Sequence, residues 1–365
     1  MRCASHRANL LSLLNSKHDR PLLDAPDWEE ILRIADHAGV SALLFHSIKD
    51  FKEEIAIPDE IYLKLKKGYQ FNELRNALVL EEFDRLMAAF ENENIPSIFL
   101  KGIYFLKTIY RDHIGIRIMS DIDLLIKDED WARAVRAIES HGYWRPDEPG
   151  ERTAAMYFKR KSDKFTAAPV HLHRHIVNLS LPFFNLNWSN IVMDEIWSSR
   201  VPLESNKHAS SFIMSPEHTL LALCTHGLSH GFSRLTLLHD IHAHITHYRD
   251  RLDWEKVIDS ARRWHIVIPL HIGLLTTRMV FQADIPEGFP IRLRPEGMSF
   301  YERCFMRYIS KSPYPHENMN MLLYLSLNRR PRETIKFIYM TLCLIIRKNT
   351  VGYRDDRSGR SKKCR

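Results

Sequence analysis

Apolar positions in the first quarter of the chain recur with a helical period. Ile31, Leu32, Ile34 and Ala35, then Leu43 and Leu44, predict two short helices between Asp27 and Ile48, broken at Gly39. A longer pattern from Asp59 to Glu93 predicts one helix with Leu74, Leu78, Phe83, Leu86, Met87 and Phe90 on its buried face and mixed charges opposite. The period then changes. Ser97-Ile98-Phe99-Leu100 and Ile122 to Ile126 are short apolar runs rich in strand formers, separated by a helix-like stretch from Ile103 to Tyr110. Asp128 to His141 predicts an amphipathic helix, with Asp128 as its cap and Gly142 as its stop. Tyr157 to Arg160 and Val170 to His173 supply further strands. From Ser215-Pro216, a helix start with proline at its first position, the helical pattern returns. It continues through Leu235 to His247 and Trp254 to Trp264, breaks at Pro313-Tyr314-Pro315 and Arg330-Pro331-Arg332, and ends in a helix from Glu333 to Lys348.

These patterns predict an α+β protein. A small mixed-sheet core at 91–180 lies between a helical region at 1–90 and a helical domain at 181–346, and a basic, disordered tail follows at 347–365.

Composition narrows the function classes. A chain of 365 residues that is 45% hydrophobic buries a sizeable core, which excludes a disordered polymer or a disulfide-stapled miniprotein. Its formal net charge is +7, but eight bases against two acids between 347 and 365 account for +6 of it, so the body is close to neutral. Basicity is an appendage. Apart from Tyr353 the tail has no aromatic residue on which a base could stack, and a small-molecule or peptide partner is expected ahead of nucleic acid. Five scattered cysteines without a Cys-x-x-Cys pair fit neither a disulfide framework nor a zinc ribbon and suggest a reducing compartment. Arg2, His6 and Arg7 interrupt the N-terminus, so no signal-peptide core is read there. The most apolar stretch, Phe337 to Ile346, is far short of the roughly 20 residues a membrane span needs. A cytoplasmic protein without a transmembrane segment is the expectation.

Candidate chemistry is concentrated between Leu100 and Ile126. There a strand ending in Lys101-Gly102 is followed by a strand carrying Asp121-Ile122-Asp123. Residues two apart on a strand share a face, so the two carboxylates project together, and such a pair persists most readily around a divalent cation. Gly102, at a strand-to-helix turn, allows backbone N–H groups to approach a phosphate. The layout suits phosphoryl or nucleotidyl transfer.

With these residues in view, the chain resembles the nucleotidyltransferase superfamily that shares the DNA polymerase β-like palm. More narrowly, it resembles a bacterial family of uncharacterised nucleotidyltransferases. The resemblance rests on Leu100-Lys101-Gly102, Tyr110, Arg117 and Asp121-Ile122-Asp123-Leu124-Leu125. It extends to Asp27-Trp28, Ala38-Gly39-Val40, His226, Leu237 to Ile241 and Leu252-Asp253-Trp254. It implies Mg²⁺ (or Mn²⁺) held by Asp121 and Asp123, a nucleoside triphosphate as substrate, and a hydroxyl-bearing acceptor. Lys101 and Arg117 would neutralise phosphate charge, and Gly102 would mark the phosphate-approach turn. In one respect the chain departs from the pattern. Where the family has an acid two residues before a histidine on a later strand, this chain has His171 before His173, so His171 stands in the slot of the third carboxylate, which activates the acceptor. An imidazole can serve as a base there but is a poor ligand for Mg²⁺.

Two rival readings accompany this one. In the first, the fold and two acids persist in a nucleotide- or partner-binding module of weakened activity. In the second, the histidine-rich stretch from His218 to His247 forms a metal hydrolase around His226, His230 and the His239-Asp240 pair. Without the further His and Asp that such a site needs, a histidine-rich helical surface is the preferred account of that stretch.

Overall fold

The computed structural model describes residues 2–15, 23, 26–145, 154–159, 168–177, 189–203, 209–311 and 320–327. The break at Gly39 separates α2 (Trp28–His37), capped by the Asp27 side chain, from α3 (Ser41–Ile48). Gly39 itself has φ 70°, a left-handed conformation that suits glycine. They pack with α1 (Arg2–Asn15) and with α4 (Asp59–Asn92), the long helix that the periodicity predicts.

The buried stripe of α4 differs from the expected one. Leu74 and Leu78 are exposed, whereas Asn72 and Asn76 are buried in line with Val79, Phe83, Leu86, Met87 and Phe90. The asparagines face inward because the neighbouring loop offers carbonyls. Asn72 Nδ2 donates to the Gly115 carbonyl at 2.6 Å, and Asn76 Nδ2 donates to those of Ile114 (2.6 Å) and Arg117 (2.8 Å).

The sheet is built from β1 (Ser97–Phe99), β2 (Ile122–Ile126), β3 (Tyr143–Trp144), β4 (Ala154–Lys159), β5 (Val170–His173), β6 (Val201–Pro202) and β7 (Ser211–Ile213), in the order β3-β4-β5-β2-β1-β7-β6. It is mixed: β2 runs antiparallel to β1 but parallel to β5, and β1 runs parallel to β7. Every residue of β2 is buried, as befits a central strand covered on both faces. Strands β3, β6 and β7 are too short to leave a periodic signal, and the last two come from residues beyond 180.

After β1 the chain enters α5 (Lys101–Lys107), which packs on β2. The helix expected from Asp128 begins instead with a 3₁₀ turn, Asp128–Asp130, and continues as α6 (Trp131–Ser140). Asp128 caps neither element, because its Oδ1 accepts from Arg174 Nη1 at 2.5 Å.

Helices α7 (Met193–Ser198), α8 (Pro216–Ser229), α9 (Leu235–Tyr248), α10 (Trp254–Arg263), α11 (Val267–Phe281), α12 (Phe289–Leu293), α13 (Phe300–Lys311) and α14 (Asn320–Leu327) complete the chain. Ser215 caps α8 by accepting from the His218 amide, with Pro216 at the first position as expected. The apolar side chains of the N-terminal helices, the sheet and α8 to α11 belong to one continuous core. None of the helices among the described residues is long and apolar enough to cross a membrane. The prolines at 313–315, the Arg330-Pro331-Arg332 break, the helix read at 333–348 and the tail lie outside the described residues.

Candidate functional site

Parallel pairing of β2 with β5 places Asp123 beside His171 and Leu125 beside His173. The turn from β1 into α5 closes over the same point: the Leu100 amide donates to the Asp123 carbonyl, and Lys101 follows at φ 45°. A left-handed conformation costs a lysine about 1–2 kcal/mol, and such strain concentrates at functional sites.

Three side chains converge on one oxygen. Asp123 Oδ1 lies 2.6 Å from Lys101 Nζ, 2.7 Å from His173 Nε2 and 3.5 Å from His171 Nδ1, and the Asp123 side chain is only 2% exposed. Burial opposes the charge on Asp123, but the Lys101 ammonium and the hydrogen bonds from the two imidazoles outweigh it and hold the carboxyl well below its usual range. Burial pushes His173 down to about 4, against its bond to Asp123, so at neutral pH the ring is uncharged and its Nε2–H donates. Asp121, just before β2, is more open. Its Oδ1 accepts from Ser120 Oγ at 2.7 Å and its Oδ2 is 3.9 Å from His171 Nδ1.

Arg117 takes another partner. Its Nη2 lies 2.9 Å from Asp240 Oδ2 and its Nε 3.1 Å from Asp240 Oδ1, a two-pronged contact in a buried setting. Burial opposes the charge on Arg117, but Asp240 overcomes that and raises the guanidinium above its ordinary value. Its charge is therefore balanced before any phosphate arrives. Gly102 lies beneath it: a Cβ there would stand 2.9 Å from Arg117 Nη1 and 3.1 Å from the end of Met119, so any larger residue obliges those side-chain tips to shift.

The histidine-rich helices brace this region. His244 Nε2 lies 2.8 Å from the Pro216 carbonyl and must donate to it, so Nδ1 accepts from the Tyr104 hydroxyl, also at 2.8 Å. His239 Nδ1 is 2.9 Å from the Tyr110 hydroxyl. The two residues read as a possible His-Asp metal pair are thus engaged separately, His239 by Tyr110 and Asp240 by Arg117. His226 lines an apolar cleft beside Lys101, with Phe99, Tyr104, Met214 and Leu223. Burial and then the Lys101 charge keep His226 neutral.

Asp123, His171 and His173 form a group able to hold a metal ion, their donor atoms all within 4.8 Å of one another. Asp121 is outside that group. Reading from sequence missed His173, and the signal that could have found it was the two-residue spacing from His171. As a resident site for Mg²⁺ the group is a poor fit. That ion requires a near-octahedral set of oxygens, and here two of three donors are imidazole nitrogens.

A mixed sheet flanked by helices that brings together a lysine, two aspartates and two histidines is consistent with a nucleotidyltransferase core. The chain belongs to the family of uncharacterised nucleotidyltransferases, whose pattern matches residues 24–282. No curated protein and no solved structure matches it.

Proposed function

We propose that the protein transfers a nucleoside monophosphate from a nucleoside triphosphate to a hydroxyl-bearing acceptor, a small molecule or peptide, and releases pyrophosphate. One observation supports this above all: Lys101, from the turn after β1, meets Asp123 beside the more open Asp121, in a chain of this family. Mg²⁺ or Mn²⁺ enters with the triphosphate as part of the substrate. Lys101 turns from Asp123 to the phosphates, where an ammonium stabilises the charge that develops on the leaving pyrophosphate. The buried Arg117–Asp240 pair holds the Gly102 turn in shape rather than supplying a free cation. The acceptor oxygen bonds to the α-phosphorus while the bond from that phosphorus to the bridging oxygen breaks, and the hydroxyl proton passes to the Asp121 carboxylate.

The second reading, a binding module of weakened activity, draws on the Lys101–Asp123 contact, which closes the carboxylate in the free protein. One experiment separates the two. The full chain is incubated with each α-labelled triphosphate and Mg²⁺ or Mn²⁺, with a lysate extract as the source of acceptors. Label transferred together with pyrophosphate release, lost in Asp121→Ala and Asp123→Asn, supports transfer. Triphosphate binding without release supports the module, and absence of both rejects the assignment.

A further inference from the structure

The mismatch with Mg²⁺ leads to a different metal. We propose that Asp123, His171 and His173 form a resident site for a divalent transition metal of the zinc class, separate from the Mg²⁺ that accompanies the triphosphate. The donor set is one carboxylate oxygen and two imidazole nitrogens, the combination that suits zinc and its neighbours rather than magnesium. Three protein ligands with a fourth position open is also how zinc is held where it meets a substrate.

Geometry favours this as much as chemistry. Zinc binds nitrogen and oxygen at about 2.0–2.1 Å, so donors at the corners of a tetrahedron around it stand about 3.3 Å apart. The distances from Asp123 Oδ1 to His173 Nε2 and His171 Nδ1, 2.7 Å and 3.5 Å, lie on either side of that value. The rings themselves are close, with centroids 4.0 Å apart. Both histidines come from one strand and the aspartate from its parallel neighbour, so the ligands sit on rigid elements in fixed register and require little rearrangement.

Lys101 identifies the position as one that needs positive charge. Its ammonium stands 2.6 Å from the carboxylate that a metal would neutralise, and with 24% of its side chain exposed it has room to turn away. A bound divalent cation repels it, so metal and ammonium alternate at Asp123. Binding the metal thereby frees Lys101 toward the phosphates, which links the site to the proposed reaction without depending on it.

The test uses the full chain, stripped with a chelator and titrated with Co²⁺ while visible absorption and heat are followed. The expected result is one equivalent with the intense bands of tetrahedral Co²⁺, displaced by one equivalent of Zn²⁺ but not by a large excess of Mg²⁺. His171→Ala and His173→Ala each weaken binding by about 100-fold or more, the upper end of what loss of a mere outer hydrogen-bond partner costs. His171 is the less buried of the two, so its variant remains informative if His173→Ala fails to fold. Lys101→Met, which removes the competing cation, tightens Co²⁺ about tenfold. Octahedral Co²⁺ of low intensity, displacement by Mg²⁺, or affinity unchanged in His171→Ala and in Lys101→Met would overturn the proposal. Nucleotide transfer plays no part in this readout, so failure here and failure of the transferase assignment are told apart.

Discussion

Arg117 and Asp240, 123 positions apart, meet in a buried two-pronged contact that joins the loop leading into β2 to helix α9. The guanidinium also lies over the Phe105 ring, its carbon 5.5 Å from the centroid, so a single side chain connects α5, the loop and the helical layer. With 12% and 2% of their side chains exposed, neither partner can turn to water if the other is removed. Asp240→Ala should therefore destabilise the protein by about 3–5 kcal/mol in denaturant unfolding, because an unpaired buried charge remains. Arg117→Ala should cost a similar amount. The double variant should cost clearly less than the sum, and strict additivity would show that the two charges do not act as a pair.

The close approach at Gly115 is less forgiving than the one at Gly102. A Cβ at Gly115 would stand 2.6 Å from the Tyr69 ring, which is rigid, whereas at Gly102 it meets the tips of Arg117 and Met119. Both alanine variants should lose stability within the range of about 1–3 kcal/mol for overpacking, with Gly115→Ala the worse. Adding Tyr69→Ala to Gly115→Ala should recover part of the loss. If it does not, the ring is not the obstacle.

Asn76 serves two carbonyls of the loop before β2 at once. Asn76→Ala should cost about 1–3 kcal/mol, since two partly buried carbonyls lose their donor. Hydrogen exchange should show the added opening confined to residues near 114–117, and exchange raised equally throughout the chain would argue against a local clamp.

Acid should destabilise the protein in two stages. Burial lowers His173, His218, His244 and His46 to about 4 each, whereas an unfolded imidazole titrates near 6.5. Between those values the unfolded chain binds more protons, so stability is full above about 6.5 and declines as pH falls toward 4, by up to about 1.4 kcal/mol per pH unit for each such group. Asp123 acts below that window. Its folded value is depressed, so its contribution is present above about 4 and is lost as pH falls further. Unfolding midpoints measured from about pH 7.5 to 3.5 should hold level above about 6.5 and fall below it, and His244→Gln should flatten the upper stage. A flat profile between pH 7 and 5 would contradict the neutral buried histidines.

What the sequence determined by itself is local. The helix break at Gly39, the runs that become β1 and β2, the Ser215-Pro216 cap and the span of α4 all follow from periods and turn residues a few positions apart. The Lys101, Gly102, Asp121 and Asp123 set was legible for the same reason, since it occupies one strand-turn-strand stretch, and His171 came into view through a family pattern. The tertiary structure decided what each of these groups touches. That His173 shares an oxygen with Lys101 depends on the register of two parallel strands 50 positions apart. That Arg117 serves Asp240 depends on where α9 packs, and that Asn72 and Asn76 rather than Leu74 and Leu78 face inward depends on loop carbonyls about 40 positions downstream. Local propensity encodes an element through neighbours in the chain. A buried polar group is placed by whichever distant donor or acceptor will satisfy it, and that partner exists only once the elements have packed.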